Sequence, residues 1–132
     1  ECHHDDDRGR RLGSNVVWSF NLDGVRFTHV GDLGHHLSVR QLSEIGSTDV
    51  LFLNTGSDLP LAEENAALLS PKAVVPMHYE TPGIVFHWFK MKTVDEFTAG
   101  RQRVVQMGRS HEYTPETLPQ RPETHIYTPP KL

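Results

Sequence analysis

With 132 residues, 36% of them hydrophobic, and a formal net charge of −4, the chain can bury one core but offers little charge attraction to a polyanion. A pI near 6.1, with Arg8, Arg10 and Arg11 as the main local run of basic residues, argues against a nucleic-acid partner held by charge, and no apolar run approaches the length of a membrane span. The single Cys2 can form no internal disulfide, which fits a reducing, cytoplasmic setting.

Strand and helix signals alternate along the chain. Asn15 to Leu22 and Val25 to Val30 are β-rich runs separated by Asp23-Gly24, the two-residue signature of a tight hairpin. Ser38 with Gln41 three residues on predicts a capped short helix that stops at Gly46. Asp49 to Leu53 is a continuous apolar run, as expected of a strand covered on both faces. Leu61 to Leu69 follows as a helix, with Leu61, Ala62, Asn65, Ala66 and Leu69 on one inward stripe. Pro71 ends it, and Lys72 to Met77 is the next buried strand. Thr93 to Ala99 reads as a further helix closed by Gly100, and Arg103 to Met107 and Thr124 to Tyr127 as final strands. The stretch between those two strands, with Pro115, Pro119 and Pro122, is expected to run extended over the surface. The pattern is an α/β (α+β) arrangement in a single domain over 1–132, with 114–132 as an extended C-terminal segment.

The segment Thr28-His29-Val30-Gly31-Asp32-Leu33-Gly34-His35 ends a strand in a Gly-flanked carboxylate and runs into a histidine pair. Glycines let the backbone turn sharply and approach a ligand, so Asp32 is well placed to hold a metal ion; its bland reading is a turn residue bonding its own backbone. Two further strand ends carry ligand-type side chains, Cys2-His3-His4-Asp5 at the start and Val75-Pro76-Met77-His78-Tyr79 later. Imidazoles with a carboxylate suit zinc, and equally manganese or iron. His35, three residues past Asp32, is expected to orient a ligand or touch substrate. His29, His36, His87, His111 and His125 have no spacing that singles them out. Cys2 has no second thiol partner and is expected to be a packed thiol.

His4-Asp5 near "LGxN" (Leu12-Gly13-Ser14-Asn15), then "GDLGH" (31–35) after the hairpin, the "DVLFL" strand (49–53) and "PKAVVPMHY" (71–79) together resemble the metallo-β-lactamase superfamily of metal-dependent hydrolases, in the branch that includes L-ascorbate-6-phosphate lactonase-like proteins. The resemblance implies an αββα sandwich, of which this chain would be only the C-terminal half, because the His-x-His-x-Asp-His motif occurs nowhere in it. It implies that Asp32 bridges two metal ions, that His4 rather than His3 ligates one and His78 the other, and that Asp32 and His35 serve the chemistry. Two zinc ions, or manganese or iron, roughly 3.5–4 Å apart would present a metal-bound hydroxide to a small ester, lactone or phosphate-bearing substrate.

The segment Asn54-Thr55-Gly56-Ser57-Asp58 departs from the resemblance, since relatives usually carry a proline and paired glycines there. The expected partners are a small-molecule substrate and either a complementing N-terminal half or further copies of the chain, with no nucleic acid and no membrane. The alternative is a truncated or degenerate, non-catalytic domain of the same fold. A nuclease ranks last, since the chain lacks a basic surface for RNA.

Overall fold

The computed structural model of the chain describes residues 1–83 and 89–128. Its centre is a six-stranded sheet. The chain enters through Cys2–His3 (β1), which pairs antiparallel with Ser14–Asn15 (β2) as a separate two-stranded ribbon. Trp18–Leu22 (β3) and Val25–His29 (β4) form the expected hairpin. Asp23 and Gly24 both take left-handed φ, 48° and 84°, as a type I′ turn requires. The run read as one strand from Asn15 is thus split: Asn15 pairs in the ribbon, Val16 and Val17 lie outside both sheets, and Trp18 to Leu22 pair in the main sheet.

Val39–Ile45 (α1) carries the expected cap: Ser38 accepts from the Gln41 N–H, and the Gln41 side chain closes back on the Ser38 N–H. Val50–Asn54 (β5), Leu59–Leu69 (α2) and Ala73–Met77 (β6) follow. The second helix begins two residues before the predicted Leu61, because Asp58 caps it by accepting from the Leu61 N–H. Val94–Thr98 (α3), Val104–Gly108 (β7) and Glu123–Tyr127 (β8) complete the fold. The strand order is β3-β4-β5-β6-β8-β7, with every pairing parallel except the β3-β4 hairpin.

The three helices among the described residues cover one face. Leu42 and Ile45 of α1, Ala62, Ala66 and Leu69 of α2 and Phe97 of α3 join Val30, Leu51, Leu53 and Val74 in one apolar cluster. Alternation along each strand sends Val25, Phe27, Val50, Phe52, Ala73 and Val75 to the opposite face. Among the described residues no helix covers that face. Tyr113 and Leu118 do so in part, Leu118 being only 5% exposed, so the stretch before β8 is a partial lid on the sheet as well as a connector. Tyr113 donates to His125 Nδ1 at 2.7 Å, and burial together with the Tyr127 hydroxyl pushes its pKa up. At the far edge Phe20 stacks on Phe27 at 5.4 Å between centroids, while Trp18, Phe20 and Leu22 remain 65%, 48% and 58% exposed.

This is one helical layer on one sheet. Among the described residues no helix is long and apolar enough to cross a membrane.

Candidate metal centre

In an open parallel sheet, the strand ends that face the helix-bound loops form the natural crevice for a ligand. β4, β5 and β6 run parallel and end side by side at His29, Asn54 and Met77. Just past these ends lie Asp32 and His78.

The loop carrying Asp32 is built by Asn15. Its side-chain Nδ2 donates to the Val30 carbonyl at 2.8 Å, and its Oδ1 accepts from the Asp32 N–H at 2.9 Å, clamping the backbone around Gly31. Gly31 takes φ 60°, and a β-carbon there would overlap the Asn15 side chain. The "LGxN" asparagine therefore shapes the turn that presents Asp32.

His4 arrives from a different direction. The Gly34 N–H donates to the His3 carbonyl at 3.0 Å, and His3 N–H donates to His35 Nε2 at 3.1 Å, so the loop 31–35 holds the ribbon strand alongside it. Any side chain on Gly34 would collide with the His4 carbonyl and the Asp5 nitrogen. His35 Nδ1 lies 2.8 Å from the His36 carbonyl, which sets the tautomer with the proton on Nδ1 and the lone pair on Nε2. Both ring nitrogens of His35 thus serve main-chain partners.

Asp5 closes the other side of the ribbon. Its carboxylate accepts from the N–H groups of Asp7 and Gly9 through Oδ1 and of Arg11 and Leu12 through Oδ2. Burial by itself would raise its pKa, but the four N–H donors hold it down to about 2.

These elements bring His4, Asp32 and His78 together. His4 Nε2 is 4.0 Å from Asp32 Oδ2, and His78 Nδ1 is 2.8 Å from Asp32 Oδ1. His78 sits at φ 55°, a left-handed position that costs a non-glycine residue energy and occurs preferentially at functional sites. Its carbonyl packs on Gly56, where a β-carbon would overlap it. Asn54 stands between the two ligand-type residues: its Nδ2 is 2.7 Å from Asp32 Oδ1 and 2.8 Å from His78 Nδ1. A cleft of about 230 Å³ opens beside His4 and Asp32, walled by Arg11, Ser57, Asp58 and Leu61.

The donor chemistry fits a borderline metal ion, since two imidazoles and a carboxylate converge. In their present positions, however, no group of three or more His, Cys, Asp or Glu side chains among the described residues is set to hold an ion. Cys2 lies outside the cluster; burial pushes its thiol pKa up, and Gln41 Nε2 donates to Sγ at 3.4 Å. His36 pairs with Glu64 on the surface at 3.1 Å, and His29 packs against Phe52. His125 is a buried member of the Tyr113 hydrogen-bond chain, with Nε2 3.2 Å from Glu123. His87 lies outside the described residues.

Two contributors were not anticipated from the sequence. Asn54 was visible only as a polar departure after β5. Asn65, 2% exposed, donates to the His35 carbonyl and accepts from the Leu37 N–H, fastening the 35–37 loop to α2. Its one signal was an amide on an otherwise apolar helix stripe.

Comparison with known proteins agrees with this architecture. The family model described as a beta-lactamase superfamily domain matches residues 1–78. A UPF0173 metal-dependent hydrolase of Listeria innocua is 30% identical over 114 residues, covering 81% of this chain and 49% of its own length. Its counterpart from Thermococcus onnurineus is 33% identical over 84 residues, covering 60% of this chain and 38% of its own. Among solved structures, a candidate zinc-dependent hydrolase of the metallo-β-lactamase superfamily from Thermotoga maritima superposes with a TM-score of 0.77 at 31% identity, over 90% of this chain and 61% of that one. The chain belongs to the β-lactamase superfamily domain family. It spans between about a third and a half of the length of the curated relatives it matches.

Proposed function

We propose that this chain is the C-terminal half of a metal-dependent hydrolase acting on a small ester, lactone or phosphate-bearing substrate. The observation that carries this reading is the meeting of His4, Asp32 and His78, delivered by three separate chain segments to one end of the sheet. These three residues would hold the metal, zinc or alternatively manganese or iron. When bound, the metal polarises the scissile oxygen and acidifies the attacking water.

The chain's own residues do the remaining work. Asn15 fixes the Asp32 turn, and Asp5 and His35 fix the segment bearing His4. The cleft beside Asp32 admits a small substrate, with the Arg11 guanidinium at its wall as a candidate partner for an anionic group. His35, with both ring nitrogens on main-chain atoms, takes a positioning part. The further ligands of a two-ion site come from a complementing N-terminal segment, which stacks its sheet on the face that carries Trp18, Phe20 and Leu22.

A non-catalytic domain of the same fold is the second reading, supported by the lack of a three-ligand group among the described residues. Elemental analysis of the purified chain after gentle dialysis separates the two. Stoichiometric zinc, manganese or iron supports the hydrolase; a metal-free chain that takes up none on addition supports the second reading.

A further inference from the structure

The side chain of Asn54 is held at three points. The Gly56 N–H donates to its Oδ1 at 3.0 Å, which fixes the amide orientation so that the NH2 group points the other way. That NH2 group reaches Asp32 Oδ1 at 2.7 Å and His78 Nδ1 at 2.8 Å. Its backbone is equally constrained, because Asn54 is the last residue of β5 and registers with Met77 of β6. The next residue, Thr55, is fully buried and donates from its N–H to the Met77 carbonyl at 3.0 Å. One rigid amide therefore touches two side chains that come from different strand ends.

We propose that Asn54 is a positioning residue for the metal centre: its amide holds the Asp32 carboxylate in the orientation an ion needs. The inference rests on the reading of His4, Asp32 and His78 as ligands. The physical argument concerns the two oxygens of Asp32. With Oδ1 bonded to the Asn54 amide, Oδ2 faces His4 Nε2 across 4.0 Å. A carboxylate oxygen has more than one lone pair, so Oδ1 can keep the amide bond while an ion approaches. The His78 ring already stands 2.8 Å from Oδ1, so the amide and the imidazole share that oxygen. Without the amide, the imidazole contact at Oδ1 is left uncontested, and it must break before an ion can enter. Hydrogen-bond donors that orient ligating side chains in this way typically change metal affinity 10–100-fold.

The test is a cobalt(II) titration of the parent chain and of Asn54→Ala, with the visible absorption band and a competing chelator as readouts. The expected result is a Kd about 10–100-fold weaker in Asn54→Ala, with a shifted band reporting an altered ligand arrangement. Asn54→Leu, which keeps the volume and loses only the polar atoms, should behave alike, and circular dichroism verifies that each variant is folded. An unaltered band and a Kd within twofold of the parent in either folded variant overturns the inference alone. A parent chain that shows no cobalt band overturns the metal-centre reading and the inference with it.

Discussion

The carbonyl oxygen of His78 occupies the space that a side chain on Gly56 would need. The turn after β5 and the turn after β6 are thus packed backbone against backbone, with the Gly56 carbonyl accepting from the Lys92 N–H at 2.8 Å on its other side. Gly56→Ala should displace His78 and cost about 1–3 kcal/mol, the usual range for overpacking. Urea denaturation measures the cost. Metal uptake should fall further than stability does, because the displaced residue is a ligand candidate.

Asp32→Ala should abolish metal binding while leaving the sheet framework, since Asp32 lies beyond the end of β4 and outside both apolar clusters. His36→Ala should be close to neutral, as its ion pair with Glu64 is exposed and such pairs contribute about 0–1 kcal/mol. Metal content and melting temperature of the two variants check both statements. Equal metal loss in the two would mean that the wrong histidine region has been assigned.

Asn65→Ala should cost about 1–3 kcal/mol, because it strands the Leu37 N–H and the His35 carbonyl without their buried partner. The effect should reach the candidate site through His35 and the His3 backbone. Hydrogen exchange at Leu37, faster in the variant than exchange in α1, is the local signature to look for.

Asp49 makes folding sensitive to acid. Burial opposes its charge, but the Arg26 N–H and the Lys72 ammonium, at 2.9 Å each, bring its pKa below the ordinary 3.8. A carboxylate whose folded pKa is depressed stabilises above its unfolded value, and the contribution is lost as pH falls through the folded one. Stability should therefore decline below about pH 4. Asp49→Asn should flatten that limb while leaving a smaller loss at pH 7; urea midpoints at pH 7 and pH 3 give the comparison.

The uncovered sheet face predicts a different asymmetry. Phe20→Ser should cost the chain under about 1 kcal/mol, since only the cross-strand contact with Phe27 is lost. Binding of a hydrophobic dye should fall in the same variant, because Phe20 lies in the middle of the exposed strip between Trp18 and Leu22. An unchanged dye signal would place the exposed apolar surface elsewhere.

Local chemistry was legible wherever one short segment carries its own instructions. The Asp23-Gly24 turn and the Ser38-Gln41 cap each close within a few residues, and each appears in the structure as the sequence predicts; the Thr93-Glu96 capping box is equally local but was not read from the sequence. The apolar runs of β5 and β6 declared themselves as buried strands for the same reason. The likeness of "GDLGH" and "PMHY" to a hydrolase family pointed to the strand ends where the candidate ligands now sit.

What the sequence by itself determined was therefore the helices and the strands of the main sheet, their order along the chain and the family; the β1-β2 ribbon was not among them. Only the tertiary structure decided that β8 inserts between β6 and β7, that Leu118 leaves the surface, and that Asn15, Asn54 and Asn65 are the amides on which the candidate site is hung. Those contacts join residues 15 to 30 positions apart. A side-chain amide carries no periodicity and no cap signature, and its partner is set by which strand ends the sheet brings together.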